Sequence, residues 1–347
     1  MTAPATTLPG TTSVARPATM PALTSAAPRL MARGLGLDVR HRDPGLFTRP
    51  RRAAIVSNID LEVAPGEILG LVGESGSGKT TIGRMLAGEI APDRGRVLLD
   101  GAALTLPLPP ARRRAVQLVF QDTLGAFDPR MTLGRQLDEP LVVAGLAPAD
   151  RRRRIDDALD AMGLDPALLD RWPHQVSGGQ RQRAVLARAL SLDPSVLVLD
   201  EPVSALDVSV QAQVVNHLAA LARDRGLAMV FISHDLGVVG HLAHRVAVLY
   251  LGRVVETGPV EAVFGAPAHP YTRALLDAVP VAHPGLRRPR LRLQGEPPGI
   301  LNPPAGCAFH PRCPLAEDIC RRQRPEPAAR TTARHLAACH LPPPAEA

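Results

Sequence analysis

The sequence predicts an α/β protein: a mostly parallel sheet covered on both faces by helices, interrupted by a helical insertion and followed by a cysteine-bearing C-terminal extension. Three observations carry this. Gly73-Glu74-Ser75-Gly76-Ser77-Gly78-Lys79-Thr80 is a phosphate-binding loop of the form G-x-x-x-x-G-K-[ST], set between a strand-like and a helix-like run. Short apolar runs alternate with amphipathic ones over the second half of the chain, as strands alternate with crossover helices. Between Gln121 and about Leu190 the pattern is helical throughout.

The elements follow in order. The first 29 residues are rich in Ala, Pro and Thr without a continuous apolar core, and read as a disordered tail and not as a signal peptide. From Leu30 to Gly101 the chain is strand-rich: Ile59 to Val63 alternates, Glu67 to Val72 is a buried strand entering the loop, and Gly95 to Gly101 is a strand closing on a turn. Thr81 to Ala87 is the helix whose N-terminus faces the phosphates. Val116 to Phe120 is a short buried strand ending at Gln121. Arg151 to Met162 and Gly178 to Leu190 are the clearest helices of an inserted subdomain over about 122–190. Strands return at Val196 to Leu199, Ala228 to Ser233 and Val246 to Tyr250, with Val210 to Arg223 as an intervening helix. The nucleotide-binding unit therefore spans 30–265, and a proline-rich extension covers 266–347. No internal repeat is visible, so there is one such unit per chain.

At 347 residues the chain can bury a core of one large domain plus an appendage, or of two modest domains. Hydrophobic content is 45%, without the run of about 18 apolar residues that a transmembrane helix needs. A cytoplasmic setting is expected. The net charge of +7 invites a nucleic-acid reading, as do Arg112-Arg113-Arg114 and Arg151-Arg152-Arg153-Arg154. Yet Asp156 and Asp157 follow the second run, and aromatic residues for base stacking make up only 3% of the chain. A solvated face or an anionic membrane surface is the better reading of these charges.

Lys79 is the only lysine, so where a charge merely has to be positive this chain uses arginine. The loop needs glycines so that backbone N–H groups turn inward around the α- and β-phosphates, and a slim ammonium that reaches the β- and γ-phosphates. Thr80 offers its hydroxyl to Mg²⁺, with Thr81 following on the helix. Val196-Leu197-Val198-Leu199-Asp200-Glu201 delivers two acids to the carboxyl edge of a parallel sheet. Asp200 is placed to hold a Mg²⁺ water, and Glu201 to polarise the water attacking the γ-phosphate. Ser177-Gly178-Gly179-Gln180 opens a helix; Ser177 reads locally as its N-cap, and the two glycines leave N–H groups free to receive an anion. With the phosphate loop already occupied, that second site suggests a γ-phosphate bound to another subunit.

The order of phosphate loop, Gln121, Ser177-Gly178-Gly179-Gln180, Asp200-Glu201, Ser204-Ala205-Leu206-Asp207 and His234 resembles the ATP-binding subunit of ABC transporters over about residues 30 to 265. The resemblance implies a P-loop NTPase of the ABC nucleotide-binding type that uses ATP and Mg²⁺. It implies that Gln121 contacts Mg²⁺ and the membrane-coupling region, that Asp207 bridges the dimer interface, and that His234 holds the γ-phosphate. The aromatic residue on which the family stacks adenine is missing from Ala53-Ala54-Ile55-Val56, leaving Phe47 or Arg51 for that contact.

His269-Pro270-Tyr271 and the run from Leu301 to Pro314 resemble the C-terminal extension of the dipeptide and oligopeptide importer ATPases, as does the phrase Glu201 to Gln211. The resemblance implies two membrane permeases, a second ATPase subunit, an external solute-binding protein reached indirectly, no nucleic acid, and a place on the cytoplasmic face of the membrane. The alternatives are a soluble ABC-type ATPase acting on nucleic acid or the ribosome, and an importer of another solute such as nickel or a small glycoside. All four cysteines, Cys307, Cys313, Cys320 and Cys339, fall in the extension as C-x5-C-x6-C-x18-C. Clustered thiols in a cytoplasmic protein favour a metal centre over disulfides. The resemblance implies a structural [4Fe–4S] cluster, with zinc or inert or redox-active thiols as alternatives; His310 and His340 are adjacent to the cysteines in sequence, as supporting or substitute ligands. An extension this poor in apolar residues is expected to need such a cross-link to order itself.

Overall fold

A computed structural model describes residues 27–41, 51–121, 125–204, 206–279 and 295–342, apart from the side chains of His41 and Arg51. Almost all of the tail expected over 1–29, together with Phe47 and Ala205, lies outside the described residues, as does the Arg51 side chain.

The strand-rich N-terminal region folds differently from the rest. Strands β1 (Leu30–His41) and β2 (Arg51–Val63) pair antiparallel, and β1 also pairs with the later β4 (Arg94–Leu99), which pairs in turn with β5 (Ala102–Ala103). The result is a separate four-stranded antiparallel sheet. Between β2 and β4 lie β3 (Ile68–Val72) and helix α1 (Lys79–Leu86), the two arms of the phosphate loop. After α2 (Pro110–Ala115) comes β6 (Val116–Val119), and then a helical stretch of α3 (Leu133–Val143), α4 (Pro148–Ala161) and α5 (Gly178–Ser191). The chain returns through β7 (Val196–Asp200), α6 (Val208–Arg225), β8 (Ala228–Ile232), α7 (Leu236–Leu242), β9 (Arg245–Tyr250) and β10 (Arg253–Pro259).

The second sheet runs β9-β3-β8-β7-β6 in parallel, with β10 antiparallel at its β9 side. Its central strands bury both faces, as parallel strands flanked by helices must. Leu197, Leu199, Met229 and Phe231 pack with α3 to α7, whereas Val196, Val198, Val230 and Ile232 pack with α1 and the antiparallel sheet. The alternation of neighbouring residues between two cores explains why these strands read as uninterrupted apolar runs.

Beyond β10 come α8 (Val260–Gly265), α9 (Pro270–Ala278), α10 (Asp318–Arg322), β11 (Ala328–Ala329) and β12 (Leu336–Ala337). The described part of the extension joins the main sheet: β12 pairs with β10, and β11 with β12. Phe309 is 1% exposed and belongs to the main core, stacked among Tyr250, Tyr271 and His269 at centroid distances of 5.3, 5.4 and 5.6 Å. A second tie is polar. Buried Glu256 of β10 accepts hydrogen bonds from the Ala268 and His269 amides at 2.7 and 2.9 Å, and meets His335 Nε2 at 2.7 Å. A buried carboxylate with three partners replaces the solvation it loses on folding.

Candidate nucleotide site

The phosphate loop is shaped by glycines in the left-handed region: Gly76 has φ 77°, and Gly78, which caps α1, has φ 100°. Side chains at these positions would be strained, and the bare backbone leaves N–H groups at the helix start free for an anion. Lys79 is buried and lies back along the loop, donating to the carbonyls of Gly73 at 2.8 Å and Glu74 at 2.9 Å. Burial pulls its ammonium below the usual lysine range, opposed by the charges of Glu201, Asp200 and Glu74.

Strand β7 ends in the acid pair. Asp200 is 5% exposed; burial pushes its carboxyl above the ordinary aspartate value, offset in part by a hydrogen bond with the Thr80 side chain. A hydroxyl and a carboxylate already in contact beside Lys79 form an oxygen donor set of the kind Mg²⁺ takes. Glu201 comes next in the left-handed region at φ 49°, and its amide donates to Ile232 O at 2.9 Å. That turn aims the two neighbouring acids differently. Gln121 Nε2 donates to Glu201 Oε2 at 2.8 Å, and His234 Nδ1 lies 3.0 Å from Glu201 Oε1. Three residues far apart in sequence therefore meet on one carboxylate, each of its oxygens held by a different partner.

The second set of sequence candidates stands apart from this group. Ser177 Oγ accepts from Gln180 N at 3.2 Å, and Gln180 Oε1 accepts from Ser177 N at 3.0 Å, a reciprocal cap on α5. Gly179 packs against Val210 of α6, so closely that an added Cβ would come within 2.5 Å of Val210 Cγ1. Asp207 caps α6, accepting from Val210 N at 3.0 Å and from Ser209 Oγ at 2.7 Å. The Val210 amide and the Ser209 hydroxyl hold its carboxyl below the usual aspartate value.

A further set of residues escaped sequence reasoning. Tyr271 of α9 accepts the Glu74 amide at 2.8 Å, and Arg312 binds the Glu74 carboxylate through two nitrogens at 2.7 and 3.0 Å. Arg312 and Glu74 are 238 positions apart, so no spacing could announce them.

Two of the four thiols, Cys307 and Cys313, flank Arg312 in sequence. All four are free, and Cys307 N donates to Cys320 O at 2.8 Å. Burial pushes Cys307 and Cys339 up and Cys313 to about 11, with the neighbouring thiols adding to each shift. The donor set is right in kind and number for a [4Fe–4S] cluster. Among the described residues, however, no three His, Cys, Asp or Glu side chains are grouped as around a single metal ion. His310 Nδ1 sits 2.9 Å from Cys307 O and His340 Nε2 sits 2.8 Å from Gln323 O, so both rings are engaged by backbone.

Comparison with known proteins agrees with this geometry. Residues 56–204 match the ABC transporter family, and residues 255–320 match the oligopeptide/dipeptide transporter C-terminal region. A peptide import ATP-binding protein of Brucella abortus is 50% identical over 86% of this chain and 91% of its own length. The dipeptide transport ATP-binding protein DppF of Haemophilus influenzae is 44% identical over 86% and 92%. Among solved structures, a dimeric post-hydrolysis ATP-binding cassette bound to ADP and phosphate aligns with TM-score 0.58 at 26% identity, covering 67% of this chain and 98% of that one. Among the described residues no helix is long and apolar enough to cross a membrane. The chain belongs to the ABC transporter ATP-binding proteins of the dipeptide/oligopeptide importer family.

Proposed function

We propose that this chain is the ATP-hydrolysing subunit that powers uptake of dipeptides or oligopeptides, working at the cytoplasmic face of the membrane with two permeases and a second ATPase subunit, and served indirectly by an external solute-binding protein. The observation that carries the catalytic reading is Glu201, held by Gln121 and His234 beside a loop whose Lys79 is buried and poised for phosphate. Residues 73–81 cradle the nucleotide. Thr80 and Asp200 would hold Mg²⁺, with Gln121 within reach of the same edge; bound there, the ion would draw charge from the phosphate oxygens. Glu201 orients the attacking water and takes its proton. Gln121 and His234 fix one carboxylate oxygen each, so the base is aimed before substrate arrives. His234, exposed at the rim, also offers a donor to the γ-phosphate.

Ser177, Gly178, Gly179 and Gln180, with Asp207, serve the partner's nucleotide. Ser177 and Gly178 are exposed, and a Cβ at Gly178 would meet nothing within 4 Å, so the positive end of this helix is open to an anion from outside. The matched C-terminal region favours the importer over an ATPase acting on nucleic acid or the ribosome. Cys307, Cys313, Cys320 and Cys339 would hold a structural [4Fe–4S] cluster, a reading supported by four free thiols falling in one segment.

The test is ATP-driven uptake of a labelled dipeptide into vesicles carrying the assembled transporter. Lys79→Ala should abolish uptake and ATP turnover together. Wild-type turnover in that variant would refute the assignment.

A further inference from the structure

Among the described residues, the C-terminal extension hydrogen-bonds the phosphate loop at Glu74, and all three polar parts of that residue are engaged. The Glu74 carboxylate is bound at both oxygens by Arg312, its amide N–H is taken by Tyr271 Oη, and its carbonyl accepts from Lys79 Nζ. Arg312 is built in and not draped over the surface. Its side chain is 7% exposed, lies between Cys307 and Cys313 in sequence, and stands 6.0 Å over the Tyr250 ring. Tyr250 and Tyr271 are packed against each other at 4.7 Å and against Phe309 of the extension. The same side of the loop borders a cavity whose far wall is residues 297–300. The outer limb of the loop thus rests on the extension.

Electrostatics makes this contact matter. Glu74 places a negative charge in the loop that has to receive a polyphosphate, and that charge is felt at Lys79. A bidentate guanidinium both neutralises the carboxylate and fixes its direction, which a single-point ammonium cannot do.

We propose that Arg312 and Tyr271 are positioning residues for nucleotide binding: acting through Glu74, they hold the outer limb of the phosphate loop and cancel its charge, so that ATP affinity depends on the C-terminal extension. This rests on residues 73–81 being the nucleotide cradle. Neither residue touches substrate in this arrangement, and their effect reaches ATP only through Glu74 and the Lys79 that leans on it.

The test compares variants of the full-length chain in the assembled transporter, measuring steady-state ATP turnover and equilibrium binding of a fluorescent ATP analogue. Arg312→Ala should raise KM for ATP about tenfold, with kcat falling by less than KM rises, because a part-buried carboxylate is left unpaired beside an anion site. Arg312→Lys keeps the charge and loses the two-point grip, so KM should rise about threefold. Removing the orphaned charge in the double variant Arg312→Ala with Glu74→Gln should bring KM back to within about threefold of wild type, since replacing both partners of a pair costs less than replacing one. A role confined to folding would lower the stability of Arg312→Ala and leave the KM of the folded chain unchanged. A folded Arg312→Ala or Arg312→Lys chain with wild-type KM would overturn the proposal, as would a double variant no better than Arg312→Ala. Lys79→Ala serves as the reference: undiminished analogue binding there would overturn the cradle and this inference with it, whereas lost binding in Lys79→Ala beside unchanged binding in Arg312→Ala would overturn this inference alone.

Discussion

Replacing Glu201 by glutamine isolates the catalytic carboxylate from the scaffold around it. The amide is isosteric: its oxygen can still accept from Gln121 Nε2, now 2.8 Å from one carboxylate oxygen. Its NH₂ can donate to His234 Nδ1, 3.0 Å from the other, once the imidazole adopts the tautomer that leaves Nδ1 bare. Position is thus kept while the negative charge and the proton-accepting lone pairs are lost. General-base assistance is worth about 10² to 10⁴ in rate, so kcat should fall by at least about 10²-fold, or roughly 2.7 kcal/mol of barrier. Nucleotide affinity should hold or improve, because one of the three carboxylates near Lys79 no longer opposes phosphate. Steady-state ATP turnover by the assembled transporter gives kcat, and equilibrium binding of ATP with Mg²⁺ gives affinity. The variant should accumulate as an ATP-bound closed dimer, visible by size and by retained nucleotide. If Glu201→Gln fails to bind ATP, or turns it over within about tenfold of wild type, the division of roles between Asp200 and Glu201 is wrong.

Other expectations follow from single contacts. Gly179→Leu must displace Val210, whose branched side chain is stiff, so turnover in the complex should drop by about tenfold or more while ATP binding by the isolated chain stays unchanged; loss of that binding would show that Gly179 serves its own loop. Phe309→Ala should cost about 3–5 kcal/mol in equilibrium unfolding, the usual range for emptying a core aromatic, and a loss under 1 kcal/mol would mean the extension does not anchor the core. Asp207 has a folded value below its ordinary 3.8, so its cap contributes fully above that value and is lost as pH falls through the lower folded value; an NMR titration midpoint above 3.8 would contradict the cap. Anaerobically purified protein should carry about four irons per chain, and Cys→Ser at 307, 313, 320 or 339 should impair assembly more than ATP affinity; iron-free protein from iron-replete, anaerobic cells would exclude the cluster.

What the sequence disclosed about this site was whatever physics keeps local. A phosphate loop is legible because glycines, lysine and threonine must fall at fixed offsets between a strand and a helix, and Asp200-Glu201 is legible because an apolar strand ending in two acids brings them to the carboxyl edge of a parallel sheet. The alternation of β7 and β8 between two cores is hidden for the same reason those strands are conspicuous: both faces are apolar. Pairings across long gaps carried no signal. The register of β1 with β4 is broken by a shift between Arg33 and Gly36, and strands of two residues such as Ala328–Ala329 are too short for any periodicity. The extension is poor in apolar residues, and its ties to the main core through Phe309 and Glu256 were not legible because their partners lie far away in sequence.

That last point bears on where the nucleotide-binding unit ends. A boundary after residue 265 reads naturally from composition, since proline becomes frequent there. In the folded chain such a cut would remove β12 from the edge of β10, leaving the backbone groups on that side of the strand unpaired. It would take the Ala268 and His269 amides and His335 away from Glu256, which would keep none of these three partners. It would also empty the Phe309 position in the main core and release Glu74 from Arg312 and Tyr271. Emptying a core aromatic position alone costs about 3–5 kcal/mol, a large part of the roughly 5–15 kcal/mol that stabilises a typical domain. The extension is therefore part of the scaffold that holds the phosphate loop in place, and a chain cut at the compositional boundary should lose ATP affinity through the fold before any question of cysteine chemistry arises.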